Sequence, residues 1–174
     1  MSLTLLTGGA RSGKSSIAVR RAGRLAAPVV FVATGQAGDA EMADRIAQHQ
    51  AERPGHWTTV EAPTELAAAA AALSPGLSVV IDCLSLWVSN LMGRGDDEAA
   101  VLEQAHELGR WARSYPGTVL VVTNEVGAGI VPMHPVSRDY RDRLGRVNAI
   151  VAGYAELAQL VVAGRTLTLD PLED

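Results

Sequence analysis

The sequence predicts an α/β protein: three layers, with one mostly parallel sheet covered by helices on both faces and a C-terminal hairpin. Three observations predict it. Short apolar runs alternate with helical stretches along the whole chain. The runs are continuously apolar rather than alternating, as strands buried on both faces are. The first run is followed at once by Gly8-Gly9-Ala10-Arg11-Ser12-Gly13-Lys14-Ser15 and then by a good helix former. This is G-x-x-x-x-G-K-S in the strand–loop–helix setting that a phosphate-binding P-loop needs.

Taken in order, Leu3–Thr7 reads as a buried strand and Ser16–Ala22 as the helix behind the loop. Pro28–Thr34 is β-branched and reads as a second strand. Asp39 is placed to cap a helix over Ala40–Ala51, which Arg53-Pro54-Gly55 stops. Trp57–Glu61 is a short strand, and Thr64–Leu73 an alanine-rich helix with Thr64 as its cap. Ser78–Cys83 is an apolar strand carrying an acid near its end, and Leu84–Met92 a helix. Gly93-Arg94-Gly95 breaks that helix before a long one over Glu98–Ser114. Thr118–Asn124 is the most strand-like run, and a glycine-containing loop covers Glu125–Pro135. A helix over about Ser137–Leu157 follows, then a hairpin of Leu160–Ala163 and Thr166–Leu169 around Gly164-Arg165.

At 174 residues the chain is expected to form one nucleotide-binding domain over 1–174. No run approaches the roughly 18 apolar residues of a spanning helix, and no signal peptide is apparent. The single cysteine, Cys83, sits in an apolar run and reads as a buried structural thiol. A formal charge of −4 gives no support to nucleic-acid binding through a basic surface. A cytoplasmic protein with a small-molecule nucleotide ligand fits best.

The loop glycines allow successive backbone N–H groups to turn inward around a phosphate chain, and the helix adds its positive end. Lys14 is placed to reach the β/γ oxygens and Ser15 to ligate Mg²⁺. Asp82, at the carboxyl end of its strand, fits a Mg²⁺ ligand opposite Ser15, the alternative being a cap of the next helix. Among His49, His56, His106 and His134, only His49 stands out. Arg45 precedes it by one helical turn and Arg53 follows by another, so two cations flank an imidazole. That grouping suits a phosphate, and an imidazole beside phosphate is a potential nucleophile. Asn124 and Glu125 leave the strongest strand either to contact a substrate or to fix the loop. Arg138, Asp139, Arg141, Asp142, Arg143 and Arg146 read as a solvated helix face with i,i+4 ion pairs, an anion site being the lesser alternative.

Four blocks in this order resemble a known family: Thr7–Ser15; Val32-Ala33-Thr34 with Arg45-Ile46, His49 and Arg53-Pro54; Asp82-Cys83-Leu84 through Asn90-Leu91; and Thr123-Asn124-Glu125-Val126-Gly127 through Pro132 with Gly145-Arg146-Val147-Asn148. Across about residues 3–163 the chain is similar to the bifunctional adenosylcobinamide kinase/adenosylcobinamide-phosphate guanylyltransferases of cobalamin biosynthesis. The resemblance implies a RecA-like P-loop fold and a homotrimer. It implies phosphorylation of adenosylcobinamide by ATP or GTP, then GMP transfer from GTP to that phosphate with release of pyrophosphate. It assigns His49 as the carrier of GMP. It also implies nucleotide contacts at Gly8, Gly9, Ala10, Arg11, Ser12, Gly13, Lys14 and Ser15, at Ala33, Thr34 and Gly35, at Gln50, Ala51, Glu52 and Arg53, and at Glu61 and Asp82. Gln48 stands where some relatives carry a second histidine, and Asp82 where some carry Glu. Competing readings are a P-loop kinase of another small molecule, a nucleotide-switched binding module, and a relative that transfers GMP but has lost the kinase step.

Overall fold

The computed structural model describes residues 2–51 and 53–171, without the side chains of Ser2, Glu41 and Arg45. The strands are β1 (Ser2–Thr7), β2 (Val29–Ala33), β3 (Thr58–Glu61), β4 (Ser78–Asp82), β5 (Thr118–Val122), β6 (Leu157–Val162) and β7 (Arg165–Leu169). The helices are α1 (Lys14–Ala22), α2 (Ala40–Ala51), α3 (Leu66–Ala71), α4 (Leu84–Arg94), α5 (Glu98–Ser114) and α6 (Pro135–Tyr154). The sheet runs β3-β2-β4-β5-β1-β6-β7. Every pairing is parallel except β6 with β7.

Neighbouring residues of a strand face opposite sides of a sheet, and both sides here are apolar. On one side Leu3, Leu5, Val79, Ile81, Val119 and Val121 pack against α3, α4, α5 and α6 through Leu66, Trp87, Leu91, Leu108 and Leu144. On the other, Leu6, Phe31, Val80, Leu120 and Val122 pack against Ile17, Ala18 and Ala22 of α1, with Trp57 beside them. Continuous apolar strands thus have their physical reason: neither face meets water.

Two helices match expectation to the residue, α2 and α5, and each is capped by the aspartate before it. The Met42 N–H donates to Asp39 at 2.7 Å, and the Ala100 N–H to Asp97 at 2.8 Å. Four expectations are corrected. Thr64 does not cap α3; the helix begins at Leu66 with Glu65 before it, and the Thr64 carbonyl accepts the Trp87 indole N–H at 2.8 Å. The break at Gly93-Arg94-Gly95 shrinks to Gly95, which ends α4 at φ 98° while the Gly95 and Asp96 N–H groups close on Leu91. The strand expected to reach Asn124 ends at Val122. Helix α6 starts at Pro135 and stops at Tyr154, because Leu157 is already paired with Thr4 in the sheet.

Candidate active site

Strand β5 lies between β1 and β4, so the ends of β1 and β4 are two strand spacings apart, about 10 Å. The loop after β1 bridges that gap. Gly8 takes φ 151°, and a Cβ there would stand 2.3 Å from the Val161 carbonyl oxygen of β6, so β6 leaves no room for a side chain. Gly13 takes φ 99° and precedes α1. The Gly164 N–H in the β6–β7 turn donates to the Ser12 carbonyl at 2.8 Å, bracing the loop from outside. Lys14 is buried beneath, its ammonium donating to the Gly9 carbonyl at 2.6 Å. Gly9, Ala10 and Arg11 form the exposed rim.

Asp82 is where these elements meet. Burial pushes its carboxyl above the usual range, while the Ser15 hydroxyl and, from further off, His49, Arg53 and Lys14 pull it back. Burial likewise lowers the Lys14 ammonium, with Cys83 and Asp82 acting the other way. Four residues from the P-loop and from in and just after α2 therefore converge on one carboxylate. Ser15 and Asp82 offer two hard oxygens beside the phosphate loop. Among the described residues no group of three or more His, Cys, Asp or Glu could cage a metal. Two protein oxygens with the rest from phosphate and water is the donor set Mg²⁺ takes, so the residues present fit that ion.

Arg53 lies over the Phe31 ring, 3.5 Å from its centroid. Its Nε is buried and has no hydrogen-bond partner among the described residues. An orphaned buried guanidinium nitrogen beside a phosphate loop is a group waiting for an acceptor. His49 sits on the last turn of α2, a helix that hardly packs: of its described side chains only Met42 and Ile46 are half-buried. Ile46 rests near Gly35, where a Cβ would lie 3.5 Å from it. Gln50, Ala51 and Glu61 are exposed on the same side of the sheet's carboxyl edge. Glu52 lies outside the described residues.

Thr34 is placed differently from a ligand contact. It is fully buried, and its hydroxyl donates to the Cys83 carbonyl at 2.7 Å while accepting the Cys83 N–H at 2.8 Å. The Asp82–Cys83 peptide it grips is cis. Asn90 of α4 holds this strand end in turn, donating to the carbonyls of Thr34 at 2.8 Å and Pro63 at 2.9 Å. Asn148 of α6 does the same for β5: it accepts from Thr123 at 2.7 Å and donates to the Asn124 carbonyl at 2.9 Å. Sequence reasoning set Gly164 in the hairpin turn and Asn90 and Asn148 in the blocks that carry the family resemblance, but assigned none of them a part in holding the site.

The remaining candidates fall away from this centre. His106 meets the Tyr154 hydroxyl at 3.2 Å on α5, and His134 precedes α6. Glu125 shapes its own loop, accepting from the Gly127 and Ala128 N–H groups. On the charged face of α6 Arg143–Asp139 is an i,i+4 pair as expected, whereas Arg141 pairs with its neighbour Asp142 and Arg146 with Glu98 of α5. Arg138 instead holds the loop before it, donating to the Pro132 and Met133 carbonyls.

A glycine loop on a parallel sheet, a buried lysine under it and an acid–serine pair beside it define a P-loop nucleotide-binding protein. Solved structures agree on the fold. The chain aligns with the ATPase EscN of the enteropathogenic E. coli type III secretion system at TM-score 0.60 and 11% identity, over 93% of this chain and 43% of that one. It aligns with a Pyrococcus horikoshii protein at TM-score 0.58 and 8% identity, over 99% and 88%. Residues 4–169 match the family described as cobinamide kinase / cobinamide phosphate guanyltransferase, and the chain belongs to it. It is 41% identical to the bifunctional adenosylcobalamin biosynthesis protein CobP of Pseudomonas aeruginosa, over 95% of each chain. It is 40% identical to CobU of Salmonella typhimurium, over 93% of this chain and 96% of that one.

Proposed function

We propose that this chain carries both activities for which its family is named, using one phosphate loop for two kinds of displacement. In the first, the hydroxyl of adenosylcobinamide attacks the γ-phosphorus of ATP or GTP. The bond from Pγ to the β-bridging oxygen breaks, the nucleoside diphosphate leaves, and the hydroxyl proton passes to solvent. In the second, a ring nitrogen of His49 attacks the α-phosphorus of GTP and pyrophosphate leaves. An oxygen of adenosylcobinamide phosphate then attacks that phosphorus, the P–N bond breaks, and adenosylcobinamide-GDP departs with His49 restored.

The convergence of Ser15, His49, Arg53 and Lys14 on Asp82 carries this reading. A phosphate loop alone supports γ-transfer; a histidine in the electrostatic field of the same carboxylate supports attack further along the chain. Lys14, freed from the Gly9 carbonyl, and the loop amides stabilise charge on the departing phosphates. The orphaned Arg53 Nε suits the phosphate in transfer. Ser15 and Asp82 would hold Mg²⁺, which would supply neutralisation and polarisation of the triphosphate.

A cytoplasmic homotrimer completes the reading. Strand β7 leaves one edge of the sheet unpaired, with Val162, Leu167 and Leu169 exposed beside it, which supports association between copies. No helix among the described residues is long and apolar enough to cross a membrane.

The test is incubation with GTP labelled at the α-phosphate. Wild type should acquire acid-labile, base-stable label that adenosylcobinamide phosphate discharges, and His49→Ala should acquire none. No label on wild type, or equal label on the variant, sinks the histidine step.

A further inference from the structure

The segment between β5 and α6 exposes an apolar surface that neither phosphate displacement uses. Ile130 is 98% exposed and Met133 91%, with Val126, Val131 and Val136 also open to solvent. Exposed apolar side chains gathered on one short segment mark a binding surface rather than ordinary solvent-facing chain. The segment is also built, not slack. Glu125 closes its first turn by accepting two backbone N–H groups, and Asn148 ties Asn124 at its root. Arg138 ties the carbonyls of Pro132 and Met133 at its far end. Polar groups thus fix the backbone and leave the apolar tips outward.

Two further features say what occupies this surface. Its root is continuous with the phosphate site, since the Glu125 N–H donates to the Gly8 carbonyl at 3.0 Å and the Thr123 N–H to Leu6 at 2.9 Å. Gly127, near the start of the segment, also lines a shallow, open depression of about 540 Å³ with Arg141, Asp142, Gly145, Arg146 and Ala149. Its lining combines three small residues with three charged side chains. That combination suits a broad molecule with apolar faces and hydrogen-bonding arms, large enough to span loop and depression together.

We propose that the Val126–Val136 loop and the outer face of α6 form the seat of the corrin acceptor, the macrocycle lying on Ile130 and Met133 and its carboxamide arms meeting Arg141 and Arg146. The proposal rests on the two-activity reading above. It adds where the acceptor sits: on the segment that leaves β5, whereas His49 lies on α2 between β2 and β3 in the chain, so that acceptor and GMP carrier approach the phosphate loop from different elements.

The experiment uses the full-length enzyme with the paired substitutions Ile130→Ser and Met133→Ser, and separately Ala149→Trp, which fills the depression. Removing two large apolar contacts should raise KM for both adenosylcobinamide and its phosphate tenfold or more. The Kd for GTP, read by calorimetry, and the sedimentation of the protein should match wild type. Unchanged KM in both variants overturns the seat. A changed oligomeric state accompanying the loss overturns it too, and gives the surface to a second copy of the chain. If wild type consumes neither corrinoid, the functional reading itself fails and the seat with it; that outcome shows in the wild-type arm alone.

Discussion

Thr34→Val separates a strut from a ligand contact at a position where family resemblance and geometry point in different directions. Valine keeps the shape and burial of threonine but removes the oxygen. The Cys83 N–H and C=O, bonded to that oxygen at 2.8 and 2.7 Å, are then left buried without partners. Each stranded group costs roughly 1–3 kcal/mol, so the pair should cost about 2–6 kcal/mol. For a chain of this size that is a fall in melting temperature of roughly 4–24 °C. Asp82 belongs to the same peptide, so GTP affinity in Mg²⁺ should fall with stability. Thr34→Ser keeps the oxygen and should retain most of both. Thermal melting and GTP calorimetry on the two variants decide it. A Thr34→Val protein that melts with wild type but binds GTP weakly would refute the strut and make the hydroxyl a ligand contact.

Other expectations follow from the same contacts. Lys14 is the only lysine in the chain; amine acylation should modify it and the N-terminus, and GTP with Mg²⁺ should protect Lys14 in peptide maps. Equal acylation with and without nucleotide would remove Lys14 from the phosphate site. Burial first, then Asp82, pushes the Cys83 thiol up to about 11, so only roughly one molecule in a thousand is thiolate at pH 8. Iodoacetamide should leave native protein unmodified and label it in denaturant; rapid native labelling contradicts the burial. Asp96 is held below the usual carboxylate range chiefly by its hydrogen bonds from Arg94. Its contribution to stability is full above the unfolded aspartate value, about 3.9, and drains as pH falls through the lower folded value. The melting-temperature gap between wild type and Asp96→Asn should therefore be constant from pH 5 to 8 and close below about pH 4. A gap that persists to strongly acid pH refutes the pairing.

Local pattern was enough for much of this protein. The phosphate loop was legible because its glycines, lysine and serine act through backbone geometry confined to eight residues. Helices α2 and α5 were legible to the residue because Asp39 and Asp97 cap them within their own first turns. Where a boundary depended on a distant partner, local reading failed. Leu157 suits a helical period as well as a strand, and its pairing with Thr4 chose the strand. Thr64 has the chemistry of a cap, but its carbonyl belongs to Trp87, 23 residues away.

The site divides along the same line. Sequence alone determined that a triphosphate is bound and, through four ordered blocks, which family does the binding. Only the tertiary structure decided which residues share a carboxylate. The insertion of β5 between β1 and β4 sets Ser15 against Asp82. His49 enters from the last turn of α2, and the grip of Thr34 on Cys83 holds the acid in place. Those contacts join segments tens of residues apart, and no period or spacing encodes them. They exist because a buried sheet must pair every strand end and satisfy every polar group it takes from water.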